Sequence, residues 1–491
     1  MSLPRFQQYI DGTFEDAART FESIDPSTEA PWAEMPAANA ADVDRAVEAA
    51  HRALNTGDWA AMTASQRGRL LQRLGDLLEE NAQRLGEIET RDTGKIIRET
   101  AGQIRYMAQY YRYFGGLADK LEGRHLPIDK PDMDVTLQRE PIGVVAAVVP
   151  WNSQFMLSAV KLGPALAAGC TVVLKASEDG PAPLLEFARL IHEAGFPPGV
   201  VNVLTGFGDD CGRPLTSHPR VSRVAFTGGP ATARHVVRNS AENLAHTTLE
   251  LGGKSPVLVF DDADIDSATN AIVAGIFAAS GQSCVAGSRL IAHRSIKDEL
   301  VRRLAEKAKA IRIGDPQDME TEMGPLATRA QLEHIQDVVQ RSVDSGARLV
   351  CGGRRPDGVE AGFYYEPTIV ECDDGATPSA VEELFGPVLS VFAFDDEDDA
   401  IRRANDTDYG LASGVFTRDL ARAHRVTRRI HAGVVWVNTY RAVSPMVPFG
   451  GYGVSGLGRE GGAESILEYT RPKAVWIRTS DEPIPDPFVM R

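Results

Sequence analysis

The stretch Val144-Val145-Ala146-Ala147-Val148-Val149-Pro150-Trp151-Asn152 decides the fold. Six apolar residues in a row, mostly valine, make a run of strand length with no polar face, the pattern of a strand buried on both sides. Proline ends it, and a helix-like segment follows over 155–168. The same alternation continues downstream. Apolar runs recur at Thr171 to Leu174, Val200 to Leu204, Val224 to Phe226 and Pro256 to Phe260, with helix-like segments at 182–194 and 231–243 between them. Strands and helices in this order predict βαβ units and an α/β fold, a parallel sheet with helices on both faces. Ligands on such sheets sit at the carboxyl ends of the strands, where Trp151-Asn152, Lys175 and Thr227-Gly228 fall.

Upstream, residues 40–120 carry helical periodicity, with Leu70, Leu71, Leu74, Leu77 and Leu78 spaced as an amphipathic stripe. Downstream, a second alternating region runs from about 255 to 450, with helices expected near 264–279, 295–311 and 328–345. Two connecting stretches, 119–142 and 468–491, the second ending in a Pro-rich tail, fit neither block and could be surface hairpins. A chain of 491 residues has length for two or three domains. The run Asp395-Asp396-Glu397-Asp398-Asp399 reads as a solvated loop leading into a helix.

Lysine and arginine number 52 against 68 aspartate and glutamate, a net charge of −16. That balance argues against nucleic acid or an anionic membrane as the main partner. The cysteines Cys170, Cys211, Cys284, Cys351 and Cys372 are scattered, without Cys-x-x-Cys or His-Glu-x-x-His spacing, so neither a disulfide scaffold nor a metal site is indicated. No run of about 18 apolar residues could span a bilayer, and the N-terminus lacks an apolar signal core. A cytoplasmic protein is expected.

The chemistry centres on Cys284, in Gly281-Gln282-Ser283-Cys284, with Glu250-Leu251-Gly252-Gly253-Lys254 upstream. In isolation a Gly-x-x-Cys reads as a buried small hydrophobe. With a carboxylate available, it suits a covalent cycle: sulfur attacks a carbonyl, and the acid later activates water. Two glycine loops compete as dinucleotide fingerprints. Gly451-Tyr452-Gly453-Val454-Ser455-Gly456 has the spacing but follows a turn, not a strand, and too little chain remains after it for a βαβ unit. Gly206-Phe207-Gly208-Asp209-Asp210-Cys211-Gly212 has the wrong last spacing but follows a strand, which leaves Gly208 a candidate cofactor neighbour. Phe226-Thr227-Gly228-Gly229-Pro230 opens a helix whose N-terminus suits phosphate.

Taken with Val149-Pro150-Trp151-Asn152, Val173 to Glu178, Glu382-Glu383-Leu384-Phe385-Gly386-Pro387, Pro448-Phe449-Gly450-Gly451 and Ser455 to Glu460, in this order over nearly the whole chain, these segments resemble the NAD(P)-dependent aldehyde dehydrogenase superfamily. The resemblance implies a Rossmann-like cofactor domain (1–118 and 142–252), a catalytic α/β domain (253–452) and a small β oligomerisation segment (119–141 and 468–491), assembled as a homodimer or homotetramer. It makes Cys284 the nucleophile, Glu250 the general base and Asn152 an oxyanion donor beside the Cys284 amide. Lys161 and Glu460 become a proton path behind Glu250 or, equally, a buried structural ion pair. Cofactor contacts would come from Val149, Pro150, Trp151, Lys175, Ser177, Glu178, Gly208, Thr227, Gly228, Gly229, Leu251, Glu383 and Phe385. Glu178 favours NAD, because a carboxylate repels a 2′-phosphate, though some relatives with this acid also accept NADP. The family usually has serine where Gly229 stands, so a hydroxyl contact to phosphate is lost.

The substrate is then a small-molecule aldehyde. By position the tunnel falls to Ser153, Val160, Ser283, Val285, Arg441, Val443 and Phe449. Small residues where several relatives carry aromatic rings imply a bulky or polar aldehyde, and Arg441 suits a carboxylate or hydroxyl at the mouth. A CoA-acylating enzyme and a non-catalytic cofactor-binding relative remain as alternatives; Glu250 argues against the first, and the set Cys284, Glu250, Asn152 against the second.

Overall fold

The computed structural model describes residues 3–373 and 375–489; residues 490–491, the end of the Pro-rich stretch, lie outside it. The first sheet has eight strands in the order Thr13–Glu15, Gln8–Ile10, Val201–Thr205, Thr171–Ala176, Val144–Val149, Val221–Thr227, His246–Glu250 and Gly456–Leu457. Its five central strands are parallel, and Gln8–Ile10 and Gly456–Leu457 join them antiparallel. Val144–Val149 is buried except at Val148, as a run without a polar face requires. Helix Gln154–Ala168 behind it is buried at every position but Met156, which marks a core helix and not a surface one. Helix Ala64–Glu80 packs Leu71, Leu74, Leu77 and Leu78 into the core against helices Ile97–Leu117 and Gln154–Ala168, and its start is fixed by Thr63 and Gln66 capping one another.

From Val144–Val149 the chain crosses to Thr171–Ala176 and Val201–Thr205 on one side, then returns to Val221–Thr227 on the other. The strand order therefore reverses beside Val144–Val149, and a crevice opens at the carboxyl ends there.

The second sheet has seven strands in the order Arg348–Cys351, Thr368–Glu371, Val388–Phe394, Arg289–His293, Pro256–Val259, Ala412–Phe416 and Val434–Val437. All its pairings are parallel except the first. The two connecting stretches meet in a separate sheet, where Thr470–Arg478 and Arg124–His125 flank Met133–Pro141, all antiparallel. The acidic run ends in helix Glu397–Asn405, where Asp396 caps the Asp399 N–H and the remaining acids face the positive end of the helix dipole. Among the described residues no helix is long and apolar enough to cross a membrane.

Candidate active site

Two sheets contribute to one point. Glu250 ends its strand in the first sheet, level with Thr227 on one side and Gly456 on the other. Cys284 lies in the loop that enters Arg289–His293 of the second sheet. That loop is held in an uncommon conformation: Ala279 and Ser280 take φ of 52° and 54°. Left-handed backbone costs a non-glycine residue about 1–2 kcal/mol. Tethers hold it in place, since Ser280 Oγ donates to the Gly324 carbonyl at 2.7 Å and the Ala327 N–H donates to Gln282 Oε1 at 2.8 Å.

Glu250 is 3% exposed, and neither carboxylate oxygen receives a hydrogen bond from the protein. Burial pushes its pKa well above the usual range; Glu460 adds to the rise, and Lys161 and Arg459 oppose it. An ionised carboxylate without donors is a strong base, which suits taking a proton from water. Its wall must be glycine at 450, because a Cβ there would lie 2.6 Å from Glu250 Oε1. Behind it, Lys161 Nζ donates to Glu460 Oε1 and Thr227 Oγ1, each at 2.6 Å, in a fully buried pair.

Cys284 is the one cysteine of the five that is not buried. Desolvation pushes its thiol up to about 12, the carboxylates of Glu383 and Glu250 add to the rise, and the Arg441 guanidinium and Val285 N–H oppose it. The thiolate is the reactive form. Alkylation of the cofactor-free protein by iodoacetamide is therefore expected to be slow at pH 7 and to accelerate about tenfold per pH unit up to pH 9, with the label on Cys284. A rate already on a plateau at pH 7, read by mass spectrometry, would show that the buried acids do not suppress the thiolate.

Asn152 is buried and its Nδ2 donates to the Gln282 carbonyl at 3.1 Å, which ties the end of Val144–Val149 to the cysteine loop. It does not cap the next helix, whose N-cap residue is Ser153, half-buried and without a side-chain cap bond. An amide nitrogen carries two donors, so one N–H remains. The Cys284 backbone N–H has no acceptor among the described residues. That backbone N–H and the second Asn152 N–H are the two unengaged donors of this loop and the strand end tied to it.

The crevice at the strand reversal is a cleft of about 640 Å³. Its lining includes Val149, Pro150, Trp151, Lys175, Ser177, Glu178, Gly208, Thr227, Gly228 and Gly229, ten of the cofactor candidates. Lys175 and Glu178 pair at 3.0 Å. Gly229 is the N-cap residue of helix Pro230–Asn243, so backbone donors and the helix dipole face the cleft where the hydroxyl is missing. The other three candidates gather between the cleft and Cys284. Phe385 meets Trp151 edge-on with ring centres 5.5 Å apart. Glu383 Oε1 accepts the Gly253 N–H at 2.9 Å, and burial pushes its carboxyl up to about 7. Leu251 is buried and donates its N–H to the Ser455 carbonyl. A Cβ at Gly252 would stand 1.8 Å from Glu383 Oε2, so the bare glycine is what lets the Glu383 carboxylate take this position.

The tunnel candidates divide. Val285 and Phe449 pack with Cys284 in one cluster. Ser283 sits half-buried in the cysteine loop, where its carbonyl accepts the Ala286 N–H. Val160 is buried and packs in the core under the first sheet. Val443 takes part through its backbone, whose carbonyl accepts the Tyr106 hydroxyl at 2.8 Å. Arg441 donates to the Ala274 carbonyl at 3.0 Å.

The sequence reading missed the rings of Trp436 and Tyr440, which pack against each other at 4.9 Å in the cluster around Cys284. Trp436 Nε1 donates to the Ala442 carbonyl and the Tyr440 hydroxyl to the Val285 carbonyl, both at 2.9 Å. It missed Gln282 and Gly450 as well. The signal for Tyr440 was present in its adjacency to Arg441; nothing local marked Trp436.

Comparison with known proteins came out uniformly. The model of the aldehyde dehydrogenase family matches residues 14–475. The chain is 63% identical over 490 residues to (Z)-2-((N-methylformamido)methylene)-5-hydroxybutyrolactone dehydrogenase of Acinetobacter baylyi, covering 100% of both. Among solved structures, PnpE of Pseudomonas sp. WBC-3 superposes with a TM-score of 0.95 at 44% identity, over 98% of this chain and 99% of that one. The NAD+ complex of aldehyde dehydrogenase from Bacillus cereus superposes with a TM-score of 0.95 at 39% identity, over 97% of each chain.

Proposed function

The chain belongs to the aldehyde dehydrogenase family, an oxidoreductase acting on aldehydes, and from that premise we propose that it oxidises a bulky or polar aldehyde to the carboxylate through Cys284, with NAD as cofactor. What supports this reading is a partly exposed thiol, in a loop that Asn152 ties to the strand end Val149, together with an unpartnered buried carboxylate at Glu250, level with Thr227 of the cleft lining.

The residues of the cleft fit NAD. Glu178 and Lys175 would hold the adenosine ribose, the N-terminus of Pro230–Asn243 the pyrophosphate, and Glu383 and Phe385 the nicotinamide end. When bound, NAD supplies a hydride acceptor, which turns the aldehyde adduct on Cys284 into a thioester.

The protein's own work is as follows. The Cys284 thiolate adds to the aldehyde carbon, and the carbonyl oxygen becomes an alkoxide held by Asn152 Nδ2 and the Cys284 N–H. After oxidation Glu250 takes a proton from water, and the hydroxide adds to the thioester carbon. The carbon–sulfur bond then breaks, releasing carboxylate and returning the thiolate. Lys161 and Glu460, a buried pair whose charges act on Glu250, would pass that proton onward or serve as a structural ion pair. The edge strand Thr470–Arg478, with Trp476 56% and Ile477 52% exposed, supports a subunit contact in a homodimer or homotetramer.

The test is reduced-cofactor formation over a panel of aldehydes with NAD and NADP supplied separately. Substituted polar aldehydes are expected to exceed acetaldehyde in kcat/KM, and NAD to exceed NADP. Highest kcat/KM on short unbranched aldehydes would remove the substrate part of the proposal; no turnover on any aldehyde, with NAD still binding, would remove the reaction.

A further inference from the structure

Arg441 is the charged residue among the tunnel candidates. Its backbone has φ of 60°, a left-handed conformation that a non-glycine residue holds only under constraint. The constraint comes from three elements far apart in sequence. Trp436 Nε1 bonds the carbonyl of Ala442, Tyr106 Oη bonds that of Val443, and Arg441 Nη1 itself bonds that of Ala274. The turn is therefore pinned at Arg441 and at the two residues after it, and the Tyr440 hydroxyl, bonded to the Val285 carbonyl, holds the residue before it. Among the described residues no carboxylate pairs with Arg441. Its charge nonetheless reaches the Cys284 thiol, since it opposes the rise in that group's pKa. The guanidinium is partly exposed, has free N–H donors and no acid of its own, and sits on a fixed backbone next to Tyr440, whose ring packs in the cluster around Cys284.

The chemistry that fits such a group is a carboxylate, which accepts two parallel N–H bonds. The name of the 63%-identical relative specifies a 5-hydroxybutyrolactone. A lactone of that type is a closed form of an aldehyde acid. Breaking the ring C5–O1 bond, with the hydroxyl proton passing to the departing ring oxygen, gives a free aldehyde and a carboxylic acid with two carbons between them. No atoms or electrons are gained or lost, and the opened aldehyde is what a thiolate can attack.

We propose that the substrate of this enzyme is a 4-oxo acid, the open form of a 5-hydroxylactone, and that Arg441 binds its carboxylate while Cys284 attacks its aldehyde. This deepens the assignment of Cys284-dependent aldehyde oxidation and rests on it.

The test compares 4-oxobutanoate with its methyl ester, which removes the charge and keeps the aldehyde. In the unaltered enzyme the acid is expected to have the higher kcat/KM. In Arg441→Gln the ratio of acid to ester should fall about 30-fold, mostly through KM for the acid, because a hydrogen-bonded charge contributes about 2 kcal/mol. Arg441→Lys should recover part of it. A ratio is the right readout, since any effect of Arg441 on the thiol or on the loop changes both substrates alike. Equal loss on acid and ester in Arg441→Gln, or an unaltered enzyme that prefers the ester, overturns the proposal while leaving aldehyde oxidation standing. No Cys284-dependent turnover of either compound, with the wider aldehyde panel also silent, would fail the underlying reaction instead.

Discussion

Cys284→Ala is expected to lower kcat/KM for aldehyde oxidation by about 10⁵-fold or more, with NAD binding and the melting temperature nearly unchanged. The size follows from what the sulfur does. Without it the aldehyde must pass directly to an acid by way of its hydrate, and the oxyanion donors and bound cofactor keep only their share of the catalysis. No other thiol can substitute. Cys170, Cys211, Cys351 and Cys372 are buried, and burial raises the pKa of each. Stability should hold because Cys284 is partly exposed, so that its truncation leaves little cavity. Stopped-flow absorbance at 340 nm is the measurement. Residual turnover above about 1% of the original would mean that another group attacks the carbonyl, and would end the role assigned to Cys284.

Where local pattern and tertiary structure agree, the sequence was enough. The strands around Val144–Val149 read out because a run buried on both faces has no polar alternation to confuse it, and the helices between them repeat with period 3.6. The ligand edge followed from the strand order, and ten cofactor candidates line one cleft. What did not read out has non-local causes. His246–Glu250 carries the general-base candidate, but His-Thr-Thr-Leu-Glu is too polar and short to announce a strand. It is one because Val221–Thr227 and Gly456–Leu457 pair with it on either side. Gln8–Ile10 and Thr13–Glu15 are three residues each and join the sheet through Tyr9 opposite Val203.

The same holds at the site. Val160, placed in the tunnel by position, lies on a helix buried nearly all round and packs in the core under the first sheet. Small residues at the expected positions suggested an open channel, but the rings of Trp436, Tyr440 and Phe449 reach Cys284 from the far end of the chain. The glycine-rich segment at 451–456 forms the short strands Tyr452–Gly453 and Gly456–Leu457 and no strand-to-helix turn. Its neighbour Gly450 matters for the space it leaves beside Glu250, and an emptiness has no local signature.

Glu250→Gln is expected to separate the two halves of the reaction. Glutamine keeps the shape and removes the base, so formation of the thioester should proceed while its hydrolysis slows. Steady-state turnover should fall about 10³-fold, the scale of a positioned general base. The first turnover should still release reduced cofactor, giving a burst close to one equivalent per active site, and intact-mass spectrometry should find the acyl group on Cys284. The pH profile supplies a second reading. Burial and the Glu460 carboxylate raise the Glu250 pKa, and the base works only when ionised, so deacylation in the unaltered enzyme should fall as pH drops through that raised value and climb above it. In Glu250→Gln that limb should disappear. The carboxylates of Glu250 and Glu383 also raise the Cys284 pKa, so removing one of them should make the thiol react faster with iodoacetamide at neutral pH. Faster alkylation together with slower turnover is a combination that simple misfolding does not produce. If the burst vanishes along with steady-state turnover, Glu250 acts before the thioester, as an activator of the thiol. If instead added coenzyme A restores full turnover to Glu250→Gln and appears in the product, the thioester is resolved by a thiol rather than by water, and the CoA-acylating alternative replaces the hydrolytic one.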